Sequence, residues 1–407
     1  MRKKVIRCAI SVANVSVLLF VTPTAFALDN MVKIGAVMDV AGIYYKTNGD
    51  ATQQKLSTHQ RHYGLYSSGH FLVDYQLSDD SGWKYGTKIS IQQTTRNDRG
   101  APFSIYTETS YGKVEAGSDK SAEAKMVITG YKTSCASGNG WDSYVIASPK
   151  DGKEAKVPYI TNFCNFLDAK TRTSMLSDYS RKITYYTPKF GSESHKLQVG
   201  LSYIPDTSNA GHGDVDAVNL HGVVGASKYK FAFKDGIAYG LVYEGKMSDT
   251  LSAKIAFVGE KGKTVAFNKA DSTKTDIKFK NLNTYNIGTE VIYGQFSVSG
   301  SYMNYNKSVT NNVIDKLGRN TSIYSVGAKY KFMEGKYAVS VNHFHSNNKN
   351  NKLDAESIGI DYFITSGIKA HAQVTYFGAK GRYQEDTVIK NDRSKGTVTI
   401  IGAKVSL

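Results

Sequence analysis

The sequence predicts an all-β fold, a transmembrane antiparallel β-barrel of sixteen strands, and three observations carry that prediction. Stretches with apolar residues at every second position recur along most of the 407 residues, as strands between two different environments do. Their connections alternate between tight and long. Past the first residues there is no apolar run of the ~20 that a membrane helix needs, which excludes helical spans and leaves barrels open.

The first 27 residues stand apart from this pattern. Arg2, Lys3, Lys4 and Arg7 precede an apolar run from Ile10 to Val21, and Ala25-Phe26-Ala27 has the small-x-small form of a signal-peptidase site. Residues 1–27 are expected to be a cleaved signal and 28–407 the mature barrel. Loss of those four cations lowers the formal charge from +16 to +12. In an exported chain that balance suits anionic solutes and outer-membrane lipid as partners rather than nucleic acid. Tyrosine (28) and glycine (37) are abundant and proline (6) is scarce, the composition of one large β-structure.

The strands follow in order. Val32 to Val40 form the first stripe. Tyr63 to Leu77 is answered across a tight turn by Trp83 to Ile91. "FSIYTETS" and "GKVEAGS" make a short pair. After a long irregular stretch come Ile183 to Thr187 and Leu197 to Tyr203. Ile237 to Tyr243 faces Leu251 to Phe257, and Tyr285 to Tyr293 meets Phe296 to Tyr302 with almost nothing between. Tyr324 to Phe332 turns into Tyr337 to Val341, and Ile358 to Ile364 into Ile368 to Tyr376. The alternation of Thr399, Ile401, Ala403 and Val405 closes the count at Leu407. Such a terminal strand is expected to pair with the first and leave no edge in lipid.

One face of the stripes ends repeatedly in Tyr, Trp or Phe, as aromatic girdles do, while the other carries His70, Asp74, Lys84 and Lys88, which cannot fill a protein core. "NKSVTNNVIDKLGRNTS", "HSNNKNNKLDAES" and "GAKGRYQEDTVIKNDRSKG" read as long outer loops. The stripes within 218–236 break the parity. They are read as a hairpin inside a fourth outer loop over 206–236; the alternatives are an eighteen-stranded barrel or a shifted register.

Within "RKITYYTPKFGSESHKLQVGLSYIPD" (181–206), Ile183, Tyr185, Thr187, Pro188 and Phe190 fit the I/V-x-Y-x-S/T-P-x-F pattern of the Gram-negative general porins, which the chain resembles. "YGKVEAGSD" (111–119) is similar to that family's entry into its constriction loop. The resemblance implies a homotrimer in the outer membrane of a Gram-negative bacterium. It also implies passive diffusion of small hydrophilic solutes and ions, without cofactor, through a lumen narrowed by the third loop. Two features depart from the family: the chain ends in Leu407 rather than Phe, and its third loop lacks the short acidic tip.

That loop corresponds to 119–178, the longest irregular stretch, expected to fold into the lumen as ordered loops of this size are usually functional. It holds eight basic and seven acidic residues and both mature cysteines, Cys135 and Cys164, expected to form a disulfide in an oxidising compartment. Parity places Lys84, Lys88, Lys113 and Lys182 on the inner wall, with Asp74 and Glu115 as counterweights. Asp119 and Glu123 stand at the start of the loop. Charges so opposed order water and sort solutes by sign, and the wall lysines predict a mild anion preference.

His343 and His345 share one strand face, but two imidazoles without a third donor do not make a metal site. No catalytic or phosphate-loop motif appears, so no enzyme is expected. A solute-specific channel, or a surface adhesin or structural barrel with a closed lumen, are the other readings compatible with the fold.

Overall fold

The computed structural model describes residues 29–49, 63–94, 98–99, 102–136, 180–207, 229–268, 273–308, 311, 321–348, 351–385 and 388–407. The expected signal, residues 1–27, lies outside them. Each sequence stripe is a strand, and each strand pairs antiparallel with its neighbour in the chain. The first seven are β1 (Asp29–Gly49), β2 (Tyr63–Ser78), β3 (Lys84–Thr94), β4 (Phe103–Thr109), β5 (Gly112–Gly117), β6 (Lys182–Tyr186) and β7 (His195–Asp206). Then come β8 (Tyr229–Lys246), β9 (Leu251–Asn268), β10 (Leu282–Tyr293), β11 (Phe296–Asn304) and β12 (Thr321–Phe332). The last four are β13 (Tyr337–Asn348), β14 (Asn351–Phe363), β15 (Ile368–Glu385) and β16 (Val388–Ser406).

Two further two-residue ladders extend these staves rather than adding new ones. Asp98–Arg99 continues β4 along β3, and Phe190–Gly191 continues β6 along β7. Pro188 occupies the break in β6, where its missing N–H removes no ladder bond; the neighbouring Thr187 N–H still donates to the Val199 carbonyl at 2.9 Å.

Closure is made by the two ends of the chain. β16 pairs with β1 from Val37 opposite Ser406 to Gly49 opposite Ser394. Beyond that ladder the Leu407 N–H donates to the Ala36 carbonyl at 2.8 Å and the Ala36 N–H to the Leu407 carbonyl at 3.2 Å. The barrel is a closed antiparallel cylinder with no open edge, the condition for a sheet in hydrocarbon.

The structure corrects two expectations about the outer connections. Residues 229–236 are not the return arm of a loop hairpin: they are the outer end of β8, joined to the rest across a register shift between Lys234 and Ile237. Asp235 there has φ 49°, and this bulge reverses the face sequence, so Phe231 and Phe233 stay inside while Ile237 points out. Residues 218–228 lie outside the described residues. The stretches around 346–354 and 378–395, expected as loops, are instead continuations of the β13–β14 and β15–β16 hairpins, paired as far as Asn348 with Asn351 and Glu385 with Val388. Beyond the bilayer both faces of a strand are wet, so the alternation that marks a strand is lost there.

The outward face is apolar and exposed, with Ile34, Leu201, Val326, Ile358 and Ile401 typical of it. It is bounded by two aromatic belts. At the tight-turn end Tyr330, Phe332, Tyr337 and Tyr362 stack in succession, with centroids 6.2, 5.4 and 4.9 Å apart. Towards the other end Tyr239, Phe257, Tyr285 and Tyr302 form a second chain at 5.9, 6.5 and 6.3 Å. The inward face is polar over most of its height. In its outer half it carries an apolar cluster that includes Ile43, Phe231, Phe344, Phe377 and Ile400, joined by Phe279 from the β9–β10 connection.

Candidate functional site: a loop seated across the lumen

The chain leaves β5 at Gly117 and turns inward. Residues 118–136 carry α1 (Ala122–Met126) and a short 3-10 turn (Gly130–Thr133), and they cross the inside of the barrel against one strand after another. Ser121 caps α1, its side chain accepting from the Ala124 N–H at 3.3 Å.

Wall hydroxyls and a carboxylate hold the backbone of this segment at intervals. The Ala122 N–H donates to Ser202 Oγ on β7 (2.8 Å), the Gly130 N–H to Ser325 Oγ on β12 (2.9 Å), and the Cys135 N–H to Ser340 Oγ on β13 (2.8 Å). The Ala136 N–H donates to Asp361 Oδ1 on β14 (2.8 Å). The Gly130 carbonyl accepts from Ser299 Oγ at 2.9 Å and Asn342 Nδ2 at 3.0 Å. At about 1 kcal/mol net per hydrogen bond, these contacts offset part of the ~1–2 kcal/mol that ordering each residue of the segment costs.

Inner-wall glycines make room for the loop. A Cβ at Gly288 would stand 2.0 Å from the Ile128 carbonyl oxygen, and one at Gly327 2.3 Å from that of Gly130. The seat is thus a groove of glycine and serine at mid-height on β7 to β14. Sequence reading missed it; the signal was small inward residues aligned across successive strands, legible only once the register was known.

Charge is concentrated where the loop begins. Lys125 on α1 bridges Glu115 on β5 and Asp119, with its Nζ 2.8 Å from Asp119 Oδ2. Lys113 pairs with the other oxygen of Glu115 at 2.7 Å. Burial alone would push the Lys125 ammonium down, but the Asp119 and Glu115 carboxylates hold it above its ordinary value. Burial likewise opposes ionisation of Asp119, and Lys125 keeps that carboxyl below the usual range. Lys182, itself buried, donates to the Ser180 carbonyl at 2.6 Å and to the Asp119 carbonyl, so one ammonium ties the two ends of the loop together.

Beside this cluster the Tyr106 hydroxyl donates to Asp74 Oδ1 at 3.0 Å, and Lys88 lies 3.8 Å from Asp74. Lys113 and Lys88 stand 4.4 and 5.1 Å from the Tyr106 ring centroid. The structure therefore brings together Asp74, Lys88, Lys113, Glu115, Asp119 and Lys182, and adds Lys125 and Tyr106. Lys84 is apart from them, at the tight-turn end, 3.9 Å from Glu108. Glu123 is buried in the first turn of α1.

Cys135 is a buried thiol with no disulfide among the described residues, its Sγ donating to the Ala338 carbonyl at 3.5 Å and its Cβ set against Gly359. The side chain faces the barrel wall, away from the rest of the loop; Cys164 lies outside the described residues. His343 and His345 point outward, pairing with Glu356 at 3.4 Å and Asp354 at 2.5 Å. Among the described residues no group of three or more potential metal ligands forms.

The comparisons agree with this geometry. The chain is 29% identical over 431 residues to an uncharacterized protein of Rickettsia bellii, covering 94% of each. It is 31% identical over 362 residues to an uncharacterized protein of Rickettsia prowazekii, covering 79% of this chain and 80% of the other. In fold it is similar to the anion-selective porin from Comamonas acidovorans, with a TM-score of 0.55 at 12% identity, over 93% of this chain and 100% of that one. A model of the Gram-negative porins matches residues 14–382. The chain belongs to the Gram-negative porin family, whose members are outer-membrane channels and not enzymes.

Proposed function

We propose that this porin passes small hydrophilic solutes by passive diffusion with a mild preference for anions. The observation that carries the preference is an imbalance of free charge on the inner wall. Lys33, Lys329, Lys331 and Lys404 take inward positions, and none has an ion pair among the described residues. Asp74, Glu115, Glu244 and Asp361, also inward, each have a cation; the inward Glu290 has none among the described residues, so these four free cations face one free carboxylate. Paired charges largely cancel at a distance, so the excess potential felt by a passing ion is positive. The likeness in fold to an anion-selective porin is in keeping with this.

We also propose a homotrimer. β5 is 6 residues long, short of the ~9–11 that a strand needs to cross a bilayer, and its neighbours β4 and β6 are interrupted, continuing only as two-residue ladders beyond a break. Their outward side chains Phe103, Ile105, Val114, Ile183 and Tyr185 are exposed in the single chain. A low apolar wall of this kind is matched by neighbouring copies rather than by lipid.

Liposome swelling tests the channel reading. Vesicles containing the folded protein should swell quickly in a monosaccharide, faster still in a sugar acid of the same size, and slowly in a large oligosaccharide. Equal rates for the neutral and acidic sugars remove the anion preference. No swelling favours the closed-lumen reading, for which the apolar cluster in the outer half of the lumen would be the cause.

A further inference from the structure

The outer rim of β14, β15 and β16 carries an unusual row of cations on its outward face. Lys352 lies directly opposite Lys380, and Lys380 directly opposite Arg393. Lys395, opposite Gly378, takes the next outward position nearer the membrane. These residues share their strand faces with Ile358, Ile360, Val374, Tyr376 and Ile401, all exposed, so they stand on the lipid side and not in the lumen.

Like charges at directly opposed positions repel, and none of these cations has an ion pair among the described residues. The two carboxylates on the same face of β14 make their close contacts with histidines and not with these cations. Asp354 is held by His345 at 2.5 Å and Glu356 by His343 at 3.4 Å. Rim lysines on β8 and β9 are arranged differently: Lys263 pairs with Asp235 at 2.8 Å and Lys234 with Asp206 at 3.4 Å. Among the described residues Lys261 on β9 is a single outward cation without an ion pair, whereas the run of directly opposed unpaired cations is local to this wall. It lies just beyond Tyr324 and Tyr376, and continues downward into exposed aliphatic side chains.

We propose that this row is a docking site for a phosphate-bearing headgroup of an outer-leaflet lipid, with the acyl chains lying over Ile358, Ile360 and Val374. Cations at the headgroup level attract anionic lipid, and the aliphatic strip below favours an acylated ligand over a free anion. The site rests on the membrane placement of the barrel but not on its conductance.

Native mass spectrometry of the folded protein, released from mixed micelles of bisphosphorylated lipid A and phosphatidylcholine, tests this. The wild type should retain lipid A about tenfold or more over phosphatidylcholine. K352Q/K380Q/R393Q should reduce that preference to about twofold or less, and K234Q/K263Q should keep it. Arg393→Gln alone should lower it severalfold, which covers the case in which the triple variant does not fold. An unselective wild type, a fully selective triple variant, or displacement of lipid A by inorganic phosphate at equal concentration would each overturn the site. The triple variant should conduct as the wild type does, because these side chains face away from the lumen. A protein that retains lipid A yet fails to conduct would sink the channel reading and leave this one standing.

Discussion

Lys125 and Asp119 meet at 2.8 Å, joining the first helix of the inner loop to the point where the loop leaves the wall. The same ammonium reaches Glu115 on β5, so one side chain fixes where the constriction starts. Lys125→Met leaves Glu115 buried with one cation fewer. The pair is partly solvated, so the expected cost is about 1–2 kcal/mol rather than the larger figure for a fully buried pair. A lower unfolding temperature, larger current fluctuations and a weaker anion preference should appear together. Quiet, wild-type currents in this variant count against the anchor.

The pH dependence of the anchor follows from the same triad. Asp119 has its acidity strengthened by Lys125 despite burial, so its contribution is complete above the ordinary Asp value of about 3.9 and is lost as pH falls below it. Lys125 is raised above its ordinary value of about 10.4, so its contribution is complete below that and lost only as pH rises further. Single-channel noise should be flat from pH 5 to pH 9 and should rise below about pH 4. A transition near neutrality would mean that another group controls the loop.

Gly327→Val should lift the loop from its seat, because even a Cβ there would lie 2.3 Å from the Gly130 carbonyl oxygen. Three contacts to that carbonyl, from Ser299, Asn342 and Thr133, would be strained or lost, at about 1 kcal/mol each. Conductance should become larger and less steady while the barrel keeps its heat-modifiable mobility on gels. A folded variant with unchanged conductance is the contrary result.

Cys135 reports the same event chemically. Burial pushes its thiol up, and it is enclosed against Gly359 and Ser340, so both thiolate fraction and access are low. In a Cys164→Ser background a methanethiosulfonate reagent should label the wild-type loop slowly and the Gly327→Val loop at least tenfold faster. Fast labelling of both would place the thiol in open water.

The low wall of β4 to β6 gives a test of assembly. Ile105→Glu with Ile183→Glu puts carboxylates on an outward face that is exposed in the single chain. Light scattering in detergent should find trimers for the wild type and monomers for the variant. Trimers in both would move the interface to another wall.

The strands were legible because the bilayer imposes one rule on all of them. Val326, Ala328 and Tyr330 alternate with Ser325, Gly327 and Lys329 since one face meets lipid and the other water. Where lipid ends, the rule ends. Asn347 and Asn348 therefore read as loop although they pair with Lys352 and Asn351, and the bulge at Asp235 hid the outer part of β8. The wall lysines followed from the same parity. Lys125 did not, because its partners Glu115 and Asp119 are set by how the loop folds back. Nor did the wall-facing thiol of Cys135, whose neighbours Ser340 and Gly359 are more than 200 residues away in the chain.

Planar-bilayer recording across a salt gradient tests the central claim most directly. A lumen narrowed by residues 118–136 and lined with unpaired lysines should give large, non-saturating steps, grouped in threes, with a reversal potential on the anion side. Steps with a cation-side reversal would contradict the charge assignment, and silence from correctly folded barrels would contradict the channel itself.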